Sequence, residues 1–388
     1  MKEKLKTAVL VVTSFVIGVV ATRYYDARRL AAKPDEVRPV ANAQRVDLEH
    51  EPLWAYGFEK PASPDETAKP QAPPNRNLRP NEDAAEQTRL RPLAGSKAKY
   101  SLVDIRDGQN VIDWFPQDHP VMPDVIKHGP ASLADKKRGC GSCHLPNGKG
   151  RPENAGVAAL PTTYIIRQLN DFRSGKRHSA DPRKPNTNTM IELAKALSDH
   201  ELKEAAEYFS SLSFTPWIRV VETDLVPKSR IVGNLFLPLE PEKTEPIGSR
   251  IIEMPEDEEQ TETYRNPHVG FVAYVPPGSL AKGKDLVTTG GARMVGTEFI
   301  PGKNTPCITC HREDLMGAVD SPPIVGRSPS YIARQLWDIQ QGTRNGEAVQ
   351  LMKVTIAKLT PDDIVAIAAY IASLPPPRKA AAPSTASR

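Results

Sequence analysis

One five-residue pattern occurs twice in this chain and constrains it more than any other feature. It is Cys140-x-x-Cys143-His144 in "RGCGSCHLPNGKG" and Cys307-x-x-Cys310-His311 in "TPCITCHRED". These two places use all four cysteines of the 388-residue chain, so no thiol remains for a disulfide framework. Two thiols three residues apart, followed at once by a histidine, are the attachment signature of c-type haem. The thiols add to the haem vinyl groups and the adjacent imidazole binds the iron. A zinc site would need all four thiolates around one ion, yet Cys143 and Cys307 are 164 residues apart and both histidines would go unused. A redox dithiol belongs between a strand and a helix, and neither pair follows a β-rich run. Two covalently bound haems are therefore expected, on Cys140, Cys143 and His144 and on Cys307, Cys310 and His311.

The duplication extends well beyond the cysteines. "YIIRQLNDFRSGKR" at 164–177 matches "YIARQLWDIQQGTR" at 331–344 at eight of fourteen positions. The apolar spacing predicts an amphipathic helix that ends at Gly175 and at Gly342. The match resumes where "MIELAKALSDHELKEAAEYFSSL" at 190–212 lies over "MKVTIAKLTPDDIVAIAAYIASL" at 352–374. In both copies the methionine stands seven residues before a leucine and eighteen before a tyrosine. Ser198-Asp199 and Thr360-Pro361 read as cap signals opening a final helix. Between the matched blocks the copies differ, with 13 residues from Arg177 to Met190 against 8 from Arg344 to Met352.

Anchor motif, middle helix, a loop carrying one methionine, and a last helix ending in Tyr-x-x-x-Leu resemble the class I cytochrome c fold. Two such copies resemble the dihaem cytochromes of the cytochrome c4 type, over about 125–214 and 278–375. The resemblance implies that a methionine thioether takes the second axial position on each iron, which falls on Met190 and Met352. Met190 is the only methionine between Met122 and Met254, in keeping with that role. In the second copy Met316 and Met294 also stand near the anchor, and the repeat register selects Met352. His178, in the loop before Met190, is the rival ligand in the first copy. The family carries a proline after the anchor whose carbonyl orients the proximal histidine. Pro322 stands there in the second copy, whereas the first has Ala155, which leaves the partner of His144 open.

The expected fold class is mainly α, two tandem class I cytochrome c domains at 100–214 and 278–375. A small β-rich insert at 215–277 separates them, signalled by short β-branched runs such as "WIRVVETD" and "GFVAYVPP". The start of the chain has lysines, an apolar run from Ala8 to Ala21, then tyrosines and arginines. Residues 1–30 thus read as an uncleaved membrane helix, with cleavage after Ala21 as the secretory alternative. Proline is 38 of 388 residues, about twice the usual share, and mean hydropathy is -0.45. Residues 31–99 concentrate this composition and read as a flexible tether, interrupted by Trp54, Tyr56 and Phe58, which are expected to dock on the body. Residues 376–388 read as a disordered tail. The block 111–129, with His119, Met122 and His128, is expected to pack against the first domain.

The net charge of +4 is too small and too dispersed to suggest nucleic acid. Thioether ligation favours ferrous iron, and six ligands leave no open position for a substrate. The expectation is an electron carrier, not an enzyme, that exchanges single electrons with redox protein partners on the periplasmic side of a bacterial inner membrane. Covalent haem attachment, which the resemblance implies, takes place there. A haem enzyme of the dihaem peroxidase or thiosulfate-oxidising type, or a cytochrome subunit of a dehydrogenase or respiratory complex, are the alternatives. From 135 to 195 there are 12 Lys/Arg against 5 Asp/Glu, and from 305 to 360 only 6 against 5. The excess reads either as a basic rim that steers an acidic partner to the first site or as a solvated face offsetting haem propionates.

Overall fold

The structure, a computed structural model, describes residues 51–63, 82–318 and 321–376. The apolar run Ala8–Ala21, the rest of the tether and the tail beyond 376 lie outside the described residues. Among the described residues no helix is long and apolar enough to cross a membrane.

Part of the segment expected as a free tether is built into the body. Helix α1, Leu53–Tyr56, is a single turn. Its Tyr56 is fully buried, and Trp54 and Phe58 pack on the second lobe's core. Three aromatic residues supply the apolar surface that the polar flanks lack, which is why this stretch docks. Helix α2, Ala84–Thr88, is capped by Asp83. Strands β1, Arg91–Pro92, and β2, Lys99–Tyr100, pair antiparallel. Helices α3, Leu102–Ile105, and α4, Asp124–Lys127, complete the extension. Leu93, Leu102, Ile105, Trp114 and Phe115 form its core, and the Trp114 indole donates to the Tyr264 carbonyl of the insert at 2.7 Å. In the block 111–129, Met122 packs on the first lobe's core, and His119 Nδ1 meets the Tyr208 hydroxyl of that lobe at 3.0 Å.

The first lobe contains α5, Gly141–His144, α6, Thr162–Arg173, α7, Pro185–Ala196, and α8, Asp199–Ser211. Helix α6 stops just before Gly175, whose φ of 74° is the left-handed conformation that ends a helix. Ser198 and Glu201 close a capping box at the start of α8. Met190 lies within α7 and not in a loop as expected. Pro185 at the first helical position presets the backbone, and the methionine falls in the middle of the resulting helix.

The insert is β-rich, as its short runs suggested. Strands β3, Ile218–Glu222, β4, Leu225–Val232, β5, Leu235–Pro246, and β6, Ile252–Pro255, lead to helix α9, Glu258–Glu262, and β7, Phe271–Val275. Strand β7 is the centre of a three-stranded sheet, parallel to β3 and antiparallel to β6, while β4 and β5 form a separate hairpin.

The second lobe opens with α10, Ser279–Thr288, followed by the hairpin of β8, Arg293–Val295, and β9, Glu298–Ile300. Then come α11, Ile308–His311, α12, Pro329–Gln340, α13, Gln350–Ile356, and α14, Pro361–Ser373. Met352 again lies on a helix, α13. Helix α12 ends ahead of Gly342, at φ 73°, and Thr360 with Asp363 closes a second capping box.

The two lobes meet through the residues that the repeat had in common. Arg177 and Arg344 form an antiparallel β-bridge, flanked by His178 N–H to Thr343 O at 2.9 Å and Asn345 N–H to Lys176 O at 2.7 Å. Arg177 donates to Gln168 Oε1 in its own lobe at 2.9 Å. It also reaches Gln335 Oε1 at 2.7 Å and the Tyr331 hydroxyl at 3.1 Å across the interface. Arg344 mirrors this with Gln335 at 3.0 Å, Gln168 at 3.1 Å and the Tyr164 hydroxyl at 2.9 Å. A duplicated helix has thus become a pseudo-twofold contact.

Candidate functional site

In the first lobe the anchor motif folds into the single turn α5, and Cys140, Cys143 and His144 line an open cavity. Met190, Leu169, Phe172 and Phe209 also line it, so its walls are largely apolar. Arg177 and Arg334 line it too and supply cations. Lys184 is fully buried, with Nζ donating to Tyr56 O at 3.0 Å, and burial holds its pKa well below the ordinary lysine value.

His144 is buried, and its Nδ1 lies 2.8 Å from the Ala155 carbonyl. Burial lowers its pKa below the ordinary imidazole value, which favours the neutral ring. With Nδ1–H donated to a carbonyl, the lone pair sits on Nε2, the state a metal ligand needs. His311 repeats the arrangement, with Nδ1 2.9 Å from the Pro322 carbonyl and a pKa again lowered by burial. Ala155 and Pro322 each follow their histidine by eleven residues, so the partner of His144 is the backbone carbonyl at the register of the missing proline. The proline ring was the visible sign in sequence, but the carbonyl does the chemistry.

Burial pushes the Cys140 thiol up to about 12 and Cys307 up to about 11. Reactive redox dithiols have lowered values, so these thiols are poorly suited to that chemistry. Among the described residues no group of three or more His, Cys, Asp or Glu side chains is placed to hold a metal ion, as a zinc site would require. A cavity with apolar walls, two thiols, a neutral imidazole, a thioether and nearby cations fits a porphyrin with its carboxylates.

The second site is more open at its anchor, since Cys310 is exposed while Cys307 is partly buried. Met352 and Met316 both pack, partly buried, against the second core, whereas Met294 stands 60% exposed on β8. His178, the rival in the first lobe, is exposed to solvent but also lines the cavity, its Nδ1 3.1 Å from the Ser179 carbonyl.

Three further residues stand around these sites, of which Lys184 and Arg327 carried no signal in sequence. Tyr56 donates to Asp338 Oδ1 at 2.7 Å, and Lys184 bonds the Tyr56 carbonyl, so the extension clasps both lobes. Arg327 of the second lobe is buried, and its guanidinium donates to Gly156 O at 3.1 Å and Ala158 O at 2.9 Å in the first. Only the aromatic cluster around Tyr56 carried any signal in sequence.

No family model matches the chain. Cytochrome c4 of Pseudomonas aeruginosa is 23% identical over 239 residues, 61% of this chain and 83% of that protein. Cytochrome c4 of Stutzerimonas stutzeri is 29% identical over 241 residues, 61% and 84% of the two chains. A protein of Thiomonas intermedia named thiosulfate dehydrogenase electron acceptor is 25% identical over 249 residues, 63% and 82% of the two. Among solved structures, reduced cytochrome c4 from Pseudomonas stutzeri overlaps 62% of this chain and 94% of its own at 22% identity, with a TM-score of 0.37.

Proposed function

We propose that this chain, a cytochrome c4-like dihaem protein of electron transfer with two covalently attached c-type haems, holds them on residues that occupy matching positions in its two sequence repeats. Cys140 and Cys143 carry one haem, with His144 and Met190 on its iron. Cys307 and Cys310 carry the other, with His311 and Met352. The observation that supports this best is the pair of buried histidines, each with Nδ1 turned to a carbonyl eleven residues on and Nε2 left free.

Haem bound at these residues would supply one-electron redox chemistry. The chain's part is to keep each imidazole neutral and oriented, to supply a thioether as sixth ligand, and to exclude water with the apolar walls. Two such centres in one chain suit a relay between a donor and an acceptor protein. A dehydrogenase is the donor we favour, because curated relatives are named as electron acceptors of thiosulfate dehydrogenase. The basic rim around the first site would receive an acidic partner surface. We place the protein on the periplasmic side of the inner membrane, held by the apolar run Ala8–Ala21. The N-terminal mass of the mature protein distinguishes an anchor from a cleaved signal.

The test is haem content per chain together with visible and near-infrared spectra. Two haems per chain with methionine-to-iron bands are expected, and Met190→Ala and Met352→Ala should each abolish the band of one haem. A single haem per chain, or a wild-type high-spin fraction that binds cyanide, would sink the carrier reading.

A further inference from the structure

One loop of the second lobe, 322–328, reaches the proximal side of both sites. At its start the Pro322 carbonyl accepts from His311. At its end Ser328 caps α12 through a bond from Tyr331 N–H. Between them, Arg327 leaves its own lobe. Its two terminal nitrogens donate to the carbonyls of Gly156 and Ala158, immediately after the Ala155 carbonyl that accepts from His144. The guanidinium also lies over the Phe214 ring, 4.2 Å from its centroid.

Arg327 makes no ion pair among the described residues, and its Nε has no hydrogen-bond partner. Burial lowers its pKa to about 10, still charged at neutral pH. An unpaired buried guanidinium is unfavourable by itself, and here it is satisfied by two backbone carbonyls and one aromatic face. The first-lobe loop fixes its amides locally, Val157 and Ala158 N–H to Gly148 O at 2.8 and 2.9 Å and Ala159 N–H to Phe209 O at 3.0 Å. The carbonyls at 156 and 158 are gripped from the other lobe. The repeat contains no equivalent, since Leu160 occupies the register of Arg327 in the first copy.

We infer that Arg327 is a positioning residue for the first haem: its fork holds the 155–158 loop so that the Ala155 carbonyl stays on His144 Nδ1. A proline ring restricts the backbone at the corresponding carbonyl of the second lobe. The first lobe lacks that ring and borrows rigidity from its neighbour. A firm bond at Nδ1 makes the imidazole a stronger donor and so favours ferric iron. The consequence is specific: a residue of the second lobe tunes the haem of the first. This rests on the reading of His144 as that haem's ligand.

The experiment uses the full-length holoprotein with Arg327→Lys, which keeps the charge but cannot fork two carbonyls, and Arg327→Leu, which copies Leu160. Redox titration resolves the two haems, assigned with Met190→Ala, and NMR follows solvent exchange of the His144 Nδ1 proton. In Arg327→Lys the first haem's potential should rise, the second's should stay, and the His144 proton should exchange several-fold faster. A purely electrostatic role predicts no shift with lysine and a fall with leucine, and that pattern would overturn the inference. So would equal shifts at both haems, or unchanged proton exchange in both variants. Wild-type protein without a histidine-ligated first haem would instead refute the ligand assignment itself.

Discussion

The two lobes carry the same attachment turn, the same middle helix and the same capped last helix, but they are supported differently. In the second lobe, α10 lies along α14 so closely that a Cβ on Gly283 would stand 2.0 Å from the Ala366 carbonyl. With β3 and β7 packed nearby, α14 is buried along most of its length, while α1 packs on α12. Before its anchor the first lobe has the one-turn α4 and a short 3-10 segment, Ala131–Lys136, and it leans on the extension, the insert and Arg327. The surfaces differ as well. Leu351 and Val354 on α13 are 79% and 81% exposed, where α7 carries Thr189 and Glu192 at the same register. A ligand set can thus be duplicated while its surroundings diverge, and the surroundings tune a redox centre.

The contrast would be broken most strongly at the helix crossing. Gly283→Val must push α10 from α14, at a cost of about 3 kcal/mol. Thermal unfolding should report it, with the second haem's spectrum disturbed before the first's. A variant as stable as wild type would show that the second lobe does not depend on this crossing.

The clasp between extension and lobes should appear in pH dependence. Both carboxylate oxygens of Glu51 are buried with no hydrogen-bond partner among the described residues. Burial first, then Asp181, raise its pKa from 4.5 to about 8, with Arg183 opposing. A carboxyl raised in the folded state binds a proton that the unfolded chain has lost, so stability falls as pH rises from about 4.5 to about 8. Glu51→Gln should flatten that slope and stabilise the protein at pH 8 by on the order of 2 kcal/mol, read from urea unfolding at several pH values. An unchanged slope would show that Glu51 titrates normally.

The smallest effect expected is at the last helices. Ser198→Ala and Thr360→Ala should each cost about 1 kcal/mol. The acidic partners differ, because Asp363 is also bridged by Lys282 at 2.9 Å and by Lys303, whereas Glu201 bonds the Ala131 amide at 2.8 Å. The Lys282 and Lys303 bridges and the cap hold the Asp363 carboxyl below the usual carboxylate range despite partial burial. That stability is present above the unfolded carboxyl pKa and is lost as pH falls through the folded value. Acid titration should therefore reduce the difference between Thr360→Ala and wild type, and a difference independent of pH would uncouple the cap from Asp363.

What the amino-acid order determined by itself is everything written at fixed short spacing. The two attachment turns, the glycines that end α6 and α12, the two cap signals and the β-branched runs of the insert need only neighbours along the chain, and each is visible without a fold. Tertiary structure decided the rest. It placed Met190 and Met352 on helices, and it docked Tyr56 on Asp338, 282 residues away. It also turned the repeated Tyr, Gln and Arg of α6 and α12 from a helical pattern into a contact between lobes. It supplied His144 with the Ala155 carbonyl and supplied that carbonyl's loop with Arg327. The physical reason is that every residue has a carbonyl and many arginines have a free fork. Such groups acquire meaning only when the chain brings them within hydrogen-bonding distance.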